Sequence, residues 1–196
     1  MFAERLRQAV GGFCSLNDSQ VAGLEAHYQL LLRWNKVLNL TAVRDPEEMV
    51  VRHYAESLFL ASRLPHGAIS VVDIGSGAGF PGVPVAIARP QADVTLVESH
   101  QRKAVFLREA TREIGNIQVF AGRAEDLAEE FDWAVCRAVK YADIRKILAR
   151  VSRQVAFLAG GGKDAEMAGV EWDDSIQLPW GDQRFLWLGS NVSRET

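Results

Sequence analysis

The chain has 196 residues, 48% of them hydrophobic and 24% charged, with a formal net charge of -3. That composition is ordinary for a soluble globular protein with a sizeable core, and it excludes a globally basic nucleic-acid binder, so an RNA partner would have to meet a local patch. No apolar run approaches the length of a membrane span, and the two cysteines, Cys14 and Cys136, match no metal-ligand spacing and argue against a disulfide framework.

The opening stretch MFAERLRQAVGG carries charges early and lacks a signal-peptide core, so a reduced, cytoplasmic protein is expected. Its AERLRQAVGG portion predicts a short amphipathic helix closed by glycines. A second helix follows, with apolar residues at Val21, Leu24, Tyr28, Leu31 and Leu32 and a cap at Asn17 or Ser19. In RDPEEMVVRHYAESLFLASRL, Asp45 suits the N-cap, Pro46 the first helical position and Glu48 the third, a capping-box pattern. Near Pro65 the period changes, dividing a helical extension (1–64) from a core (65–196). Strand-like runs ISVVDI, DVTLVE, IQVFAG, FDWAVC and QVAFLA alternate with helices over about Pro81 to Ala88, Gln101 to Ile114 and Tyr141 to Val151. Apolar strands alternating with helices predict an α/β fold whose parallel sheet is covered on both faces. The tail runs SIQLPW and RFLWLG are joined by a short polar connection and predict an antiparallel hairpin. The final SNVSRET reads as a frayed terminus.

The chemistry gathers at VVDIGSGAGFPG, Val71 to Gly82. Ligands of open α/β sheets bind beyond the carboxyl ends of the strands, and glycine permits positive φ and removes a blocking Cβ. Gly75 and Gly77 open this loop. Glu98 ends the second strand, near the spacing at which an acid meets a ribose diol, and a carboxylate can accept both hydroxyl hydrogens. Together these point to a cofactor with an adenosine ribose, NAD or S-adenosyl-L-methionine. The GxGxG spacing and the antiparallel ending favour the methyl donor.

The stretches NLTAVRDPEEMVVRHYAESL, DIGSGAGFPGVPVAI, RAEDL and CRA resemble the bacterial 16S rRNA guanine-N7 methyltransferases, also called glucose-inhibited division protein B. The likeness runs from about Leu31 to Ala138. It implies a Rossmann-like class I methyltransferase fold, a mostly parallel seven-stranded sheet with an N-terminal helical extension. It further implies S-adenosyl-L-methionine as cofactor, N7 of a guanine in the 530 loop as target, and 16S rRNA or the small ribosomal subunit as partner of a monomer. Carried over residue by residue, the likeness puts Gly75, Phe80, Glu98, Ala124, Glu125 and Arg137 at the cofactor, with Arg137 also positioning the substrate. Arg184 matches an arginine of the family's closing strand. Guanine N7 has a lone pair in the neutral base, so catalysis by positioning suffices and no general base, metal or covalent nucleophile is expected.

RNA requires positive surface. Between Arg137 and Arg153 six basic side chains, among them Lys140, Arg145, Lys146 and Arg150, face one acid, Asp143. The extension adds Arg33, Lys36, Arg44, Arg52 and His53 near Asn39 and Thr41, whereas Trp34, within an apolar helix face, reads as a packing residue. Asn39, Arg52, His53, Lys140, Arg145, Lys146 and Lys163 are the expected RNA contacts, with His53 reading equally as a structural hydrogen-bonding residue. The chain departs from the family's Leu-Lys-Gly rim, reading FLAGGGKDAEM with Lys163 displaced beyond three glycines. Two rival readings stay open: a small-metabolite methyltransferase, which predicts a closed apolar pocket, and a non-catalytic adenosyl-ligand-binding protein.

Overall fold

A computed structural model describes residues 1–160 and 169–192. The expectations for Lys163 and for residues 193–196 of the tail lie outside the described residues. Helix α1 spans Phe2–Val10 and α2 spans Asp18–Trp34. Asn17 caps α2 in a full capping box with Gln20. Helix α3, Pro46–Met49, is capped by Asp45, which accepts the Glu48 N–H at 2.8 Å. The Glu48 side chain does not close the box; it pairs with Arg52 at 2.6 Å. The helix then runs on through a π segment, Val50–Ala55, into α4, Glu56–Arg63. The Glu56 N–H donates to the Val51 carbonyl, five residues back. Such π turns widen a helix at single points, often at functional sites.

Seven strands make one sheet: β1 Ile69–Ile74, β2 Ala92–Val97, β3 Ile117–Phe120, β4 Phe131–Arg137, β5 Ser152–Gly160, β6 Val170–Gln177 and β7 Arg184–Asn191. Their order is β3-β2-β1-β4-β5-β7-β6. The first five strands pair in parallel, and β7 runs antiparallel to both β5 and β6. Helices α5 (Gly82–Ala88), α6 (Gln101–Ala110) and α7 (Tyr141–Val151) form the crossovers. The terminal hairpin is present, but β6 begins five residues before the expected SIQLPW run and stops before Pro179, which has no N–H to extend the ladder. Ser190 and Asn191 are no frayed tail: they pair in β7, and the Asn191 amide donates to Leu148 and Ser152 carbonyls at 2.9 and 2.7 Å.

Strand alternation assigns side chains to two cores. Val71, Val94, Leu96 and Val135 face the N-terminal helices and α5, in a cluster that includes Leu6, Leu24, Leu31 and Leu58. Val72, Ile74, Ala134 and Val155 face α7 through Ile144, Leu148 and Val151. The extension therefore covers one sheet face and helps form its core. Since β1 lies between β2 and β4, the chain departs to opposite sides there, opening a crevice above the carboxyl end of β1.

Candidate active site

The glycine loop leaves β1 at this crevice. Gly75 and Ser76 both donate to the Val97 carbonyl at 3.0 Å, which ties the loop to the end of β2. Gly75 and Gly77 have φ of +73° and +57°, a left-handed geometry that costs other residues strain. A Cβ on Gly77 would have only the Gly75 carbonyl nearby, at 3.8 Å, and would project into the open crevice. Beneath the loop, fully buried Asp73 accepts the Gly82 N–H at 2.9 Å and so fixes the start of α5. Burial pushes its carboxyl up to about 7. Gly82 must be bare, because a Cβ there would meet Leu96 and lie 2.7 Å from Asp73 Oδ2.

Glu98 is buried at the tip of β2. Its two oxygens accept the Gly77 N–H at 2.9 Å and the His100 N–H at 2.7 Å. An ionised carboxylate has about four acceptor sites, so each oxygen keeps one for a hydroxyl donor. Beyond Glu98 a cavity of about 550 Å³ is bounded by Gly75, Val97, Ala124, Glu125, Val139 and Ile144. Ala124 is buried and Glu125 exposed in a 3₁₀ turn, Ala124–Asp126. Arg150 braces that turn, donating to the carbonyls of Leu127, Ala124 and Glu125 at 2.6, 3.0 and 2.8 Å. Arg150 is exposed, but its guanidinium is tied to these three carbonyls rather than left free in the basic face that the charge pattern predicted.

On the other side of Gly75 a second cavity, about 340 Å³, lies between the glycine loop and residues 40–42. Asn35 shapes that wall: its Oδ1 accepts the Leu40 and Thr41 N–H groups, and its amide donates to the Thr41 carbonyl. Thr41 Oγ1 lies 2.6 Å from His53 Nε2, and the His53 ring stacks on Phe80 at 4.8 Å. Both rings are buried and border the cavity. Burial, reinforced by the Arg137 charge, holds His53 down to about 3, so it is neutral at ordinary pH. A parallel tie comes from His27, whose Nε2 lies 3.0 Å from the Ala78 carbonyl and whose Nδ1 lies 2.8 Å from the Tyr54 hydroxyl. A carbonyl only accepts, so Nε2 carries the proton and Nδ1 accepts from Tyr54. The helical extension therefore holds the glycine loop at two points.

Arg137 ends β4 and borders this second cavity and a third one of about 610 Å³. Its side chain is 13% exposed, and burial lowers it to about 10 against the pull of Glu56. Glu56, fully buried at the end of the π segment, lies 3.7 Å from Arg137 Nε and accepts from Arg184 Nη2 at 2.5 Å. Ala138 follows with φ +57°, an uncommon strain for a non-glycine residue that concentrates at functional sites. The third cavity is lined by Arg52, Arg137, Lys140 and Arg184 beside Tyr141, Phe157 and Trp187.

Gly75, Gly77, Phe80, Ala124, Glu125 and Arg137 thus border one crevice, with Glu98 bonded to Gly77 just behind the lining, and Arg52 and Lys140 join them at its third compartment. Arg145 and Lys146 are exposed on α7 and Asn39 is exposed in the turn after α2, all outside the cavity linings. Sequence reasoning missed Glu56, His27 and Asp73. Glu56 and Asp73 are acids inside apolar runs, the one local signal available, but the partner of Glu56 is 128 residues away.

The strand order, the glycine loop at the switch point and the closing antiparallel hairpin define a class I methyltransferase fold. Solved structures share it: a SAM-dependent methyltransferase from Aquifex aeolicus (TM-score 0.62, 14% identical, covering 79% of this chain and 97% of that one), and an MtNAS variant in complex with S-adenosylmethionine (TM-score 0.60, 16% identical, covering 87% and 72%). At these identities the likeness is one of fold. Residues 20–183 match the model of the GidB family, described as rRNA small subunit methyltransferase G, and the chain belongs to that family. It is 50% identical over 129 residues to the ribosomal RNA small subunit methyltransferase G of Xanthomonas axonopodis pv. citri, covering 64% of this chain and 60% of that protein. It is also 50% identical over 117 residues to the one of Nitrosomonas europaea, covering 57% and 53%. The matched part therefore spans between half and two thirds of these relatives' length.

Proposed function

We propose that the chain transfers a methyl group from S-adenosyl-L-methionine to N7 of a guanine in the 530 loop of 16S rRNA. The observation that carries this reading is the continuity of the crevice: an adenosyl-type half, built from the glycine loop, Glu98 and the Ala124–Glu125 turn, opens at Arg137 into a cationic, aromatic-walled compartment. The residues fit the cofactor. Glu98 has acceptor sites left for a ribose diol, Gly77 leaves the loop backbone bare, and main-chain groups at Ala124 can meet the edge of an adenine. The family and the S-adenosylmethionine-bound structure of the same fold support the choice of donor.

When bound, S-adenosyl-L-methionine supplies an electrophilic methyl group. The protein's contribution is placement. Arg137 and Arg184, braced by Glu56, present fixed guanidinium planes to the oxygens of an incoming nucleotide. Tyr141, Phe157 and Trp187 offer rings for a base to lie against. Neutral guanine N7 attacks without losing a proton, so no side chain has to act as a base. A metabolite methyltransferase predicts a closed apolar pocket, whereas three arginines and a lysine line this one. Exposed Lys140, Arg145 and Lys146 supply the flanking phosphate contacts. The reading is tested by single-turnover methyl transfer to 16S rRNA and to metabolite mixtures, with wild type and Arg137→Lys. Transfer to rRNA that collapses in the lysine variant, while its melting holds, is expected. Transfer to metabolites alone, or a lysine variant with the wild-type rate, refutes it.

A further inference from the structure

The cavity between the glycine loop and residues 40–42 has two cations in its lining, Lys103 and Arg137, and no carboxylate. Arg137 has Glu56 at 3.7 Å. Lys103 is half-buried, and its ammonium makes no ion pair or hydrogen bond among the described residues. Its position on α6 is unusual. The first turn of α6, like that of α5, holds no acid, and unlike α5 it carries two cations there, Arg102 and Lys103; α1, α2, α4 and α7 place Glu4, Asp18, Glu56 and Asp143 in theirs. The positive end of a helix dipole disfavours a cation and favours an anion. A lysine at that end, turned to a cavity without an acid, is electrostatically out of place until an anion arrives. Breaks of a local rule without compensation inside the protein gather at functional positions.

The ligand of the proposed function has one carboxylate, on its methionyl group, at the end opposite the adenine. With the adenine at the Ala124–Glu125 turn and the ribose on Glu98, that end falls in this cavity. We propose that Lys103 binds the α-carboxylate of the methionyl group and thereby selects the intact amino-acid form of the cofactor, an inference that rests on the cofactor reading above. An ammonium on a flexible stem suits a single carboxylate as a point charge with three donors.

The test is calorimetric titration of wild type, Lys103→Met and Lys103→Arg with two probes, S-adenosyl-L-methionine and its decarboxylated form, which keeps the adenosine, sulfonium and amine. A hydrogen bond to a charged group corresponds to about a tenfold or larger change in affinity. Lys103→Met is expected to lose about that factor for the intact cofactor and to bind the decarboxylated form as wild type does, and Lys103→Arg is expected to keep most of the preference. The decarboxylated probe doubles as the check that the variant is folded. Equal losses on both probes, or no loss on either, overturn the proposal. So does a variant that weakens only rRNA binding, because the lysine would then be a phosphate contact. A wild type that binds neither probe refutes the cofactor reading itself. A wild type that binds both alike leaves that reading intact and removes the role of Lys103.

Discussion

Glu56 is the place to perturb the site from beneath. Its carboxylate is fully buried and faces two guanidiniums whose side chains are only 13% and 23% exposed, Arg137 and Arg184. Glu56→Ala would leave both cations buried without that partner. Removing one member of a buried ion pair costs about 3–5 kcal/mol, chiefly because the other charge stays desolvated. Against a total stability of roughly 5–15 kcal/mol that is a large fraction. For a chain of this size each kcal/mol lowers the melting temperature by about 2–4 °C, so a fall of roughly 6–20 °C is expected. Glu56→Gln keeps one acceptor but loses the charge and turns an amide toward the other guanidinium, so it should fall between wild type and alanine. The assay is a circular-dichroism melt of the three proteins, with single-turnover methyl transfer at a temperature where all remain folded. Transfer should drop in Glu56→Gln even there, since Arg137 and Arg184 lose their brace. An alanine variant melting within about 1 °C of wild type would show that Glu56 does not hold the cluster, because the guanidiniums would then be hydrated well enough not to need the carboxylate.

Glu98→Ala should weaken S-adenosyl-L-methionine about tenfold or more in calorimetry, as hydrogen bonds to a charged group contribute about 1.5–3 kcal/mol; unchanged affinity would remove Glu98 from the ribose site. Asp73 has a folded pKa of about 7 against an ordinary 3.8, so the native state holds the extra proton between those values and the stability of wild type is eroded as pH rises from about 4 through 7. Asp73→Asn keeps an acceptor for the Gly82 N–H and lacks that slope, so the difference in urea midpoint between variant and wild type should grow in the variant's favour as pH rises; a constant difference would show that Asp73 does not titrate in this range. Replacing Lys140, Arg145 and Lys146 with alanine should weaken rRNA binding and flatten its salt dependence by about 0.7 per lost phosphate contact on single strands; an unchanged slope would leave those side chains as a solvated face.

What the sequence revealed was local and periodic. The run ISVVDI is β1 residue for residue and Tyr141 to Val151 is α7, because a short apolar run between loop signals and an amphipathic helical period are each set by neighbouring residues. The glycine loop was legible for the same reason, and Glu98 from its place at the end of the next strand, 21 residues after Gly77. What stayed hidden depends on partners distant in sequence. The basic count between Arg137 and Arg153 did not separate Arg150, whose guanidinium turns in to three carbonyls, from Lys146, which stays in solvent. Nothing in MVVRHYAESL shows that a π turn carries Glu56 under Arg137 and Arg184. His53 read equally as an RNA contact beside Arg52 or as a structural hydrogen-bonding residue; it is buried against Thr41 and stacked on Phe80, a contact set by the approach of the extension to the sheet.

In the proposed function the crevice joins an adenosyl site to a guanine site at Arg137. The measurement that tests this most directly maps guanine-N7 methylation along 16S rRNA from cells with and without the protein, with Arg137→Lys reintroduced as a third strain. One 530-loop guanine is expected to carry the methyl group only when the wild-type protein is present and to lose most of it in the lysine strain. An identical N7 pattern in all three strains would contradict that function.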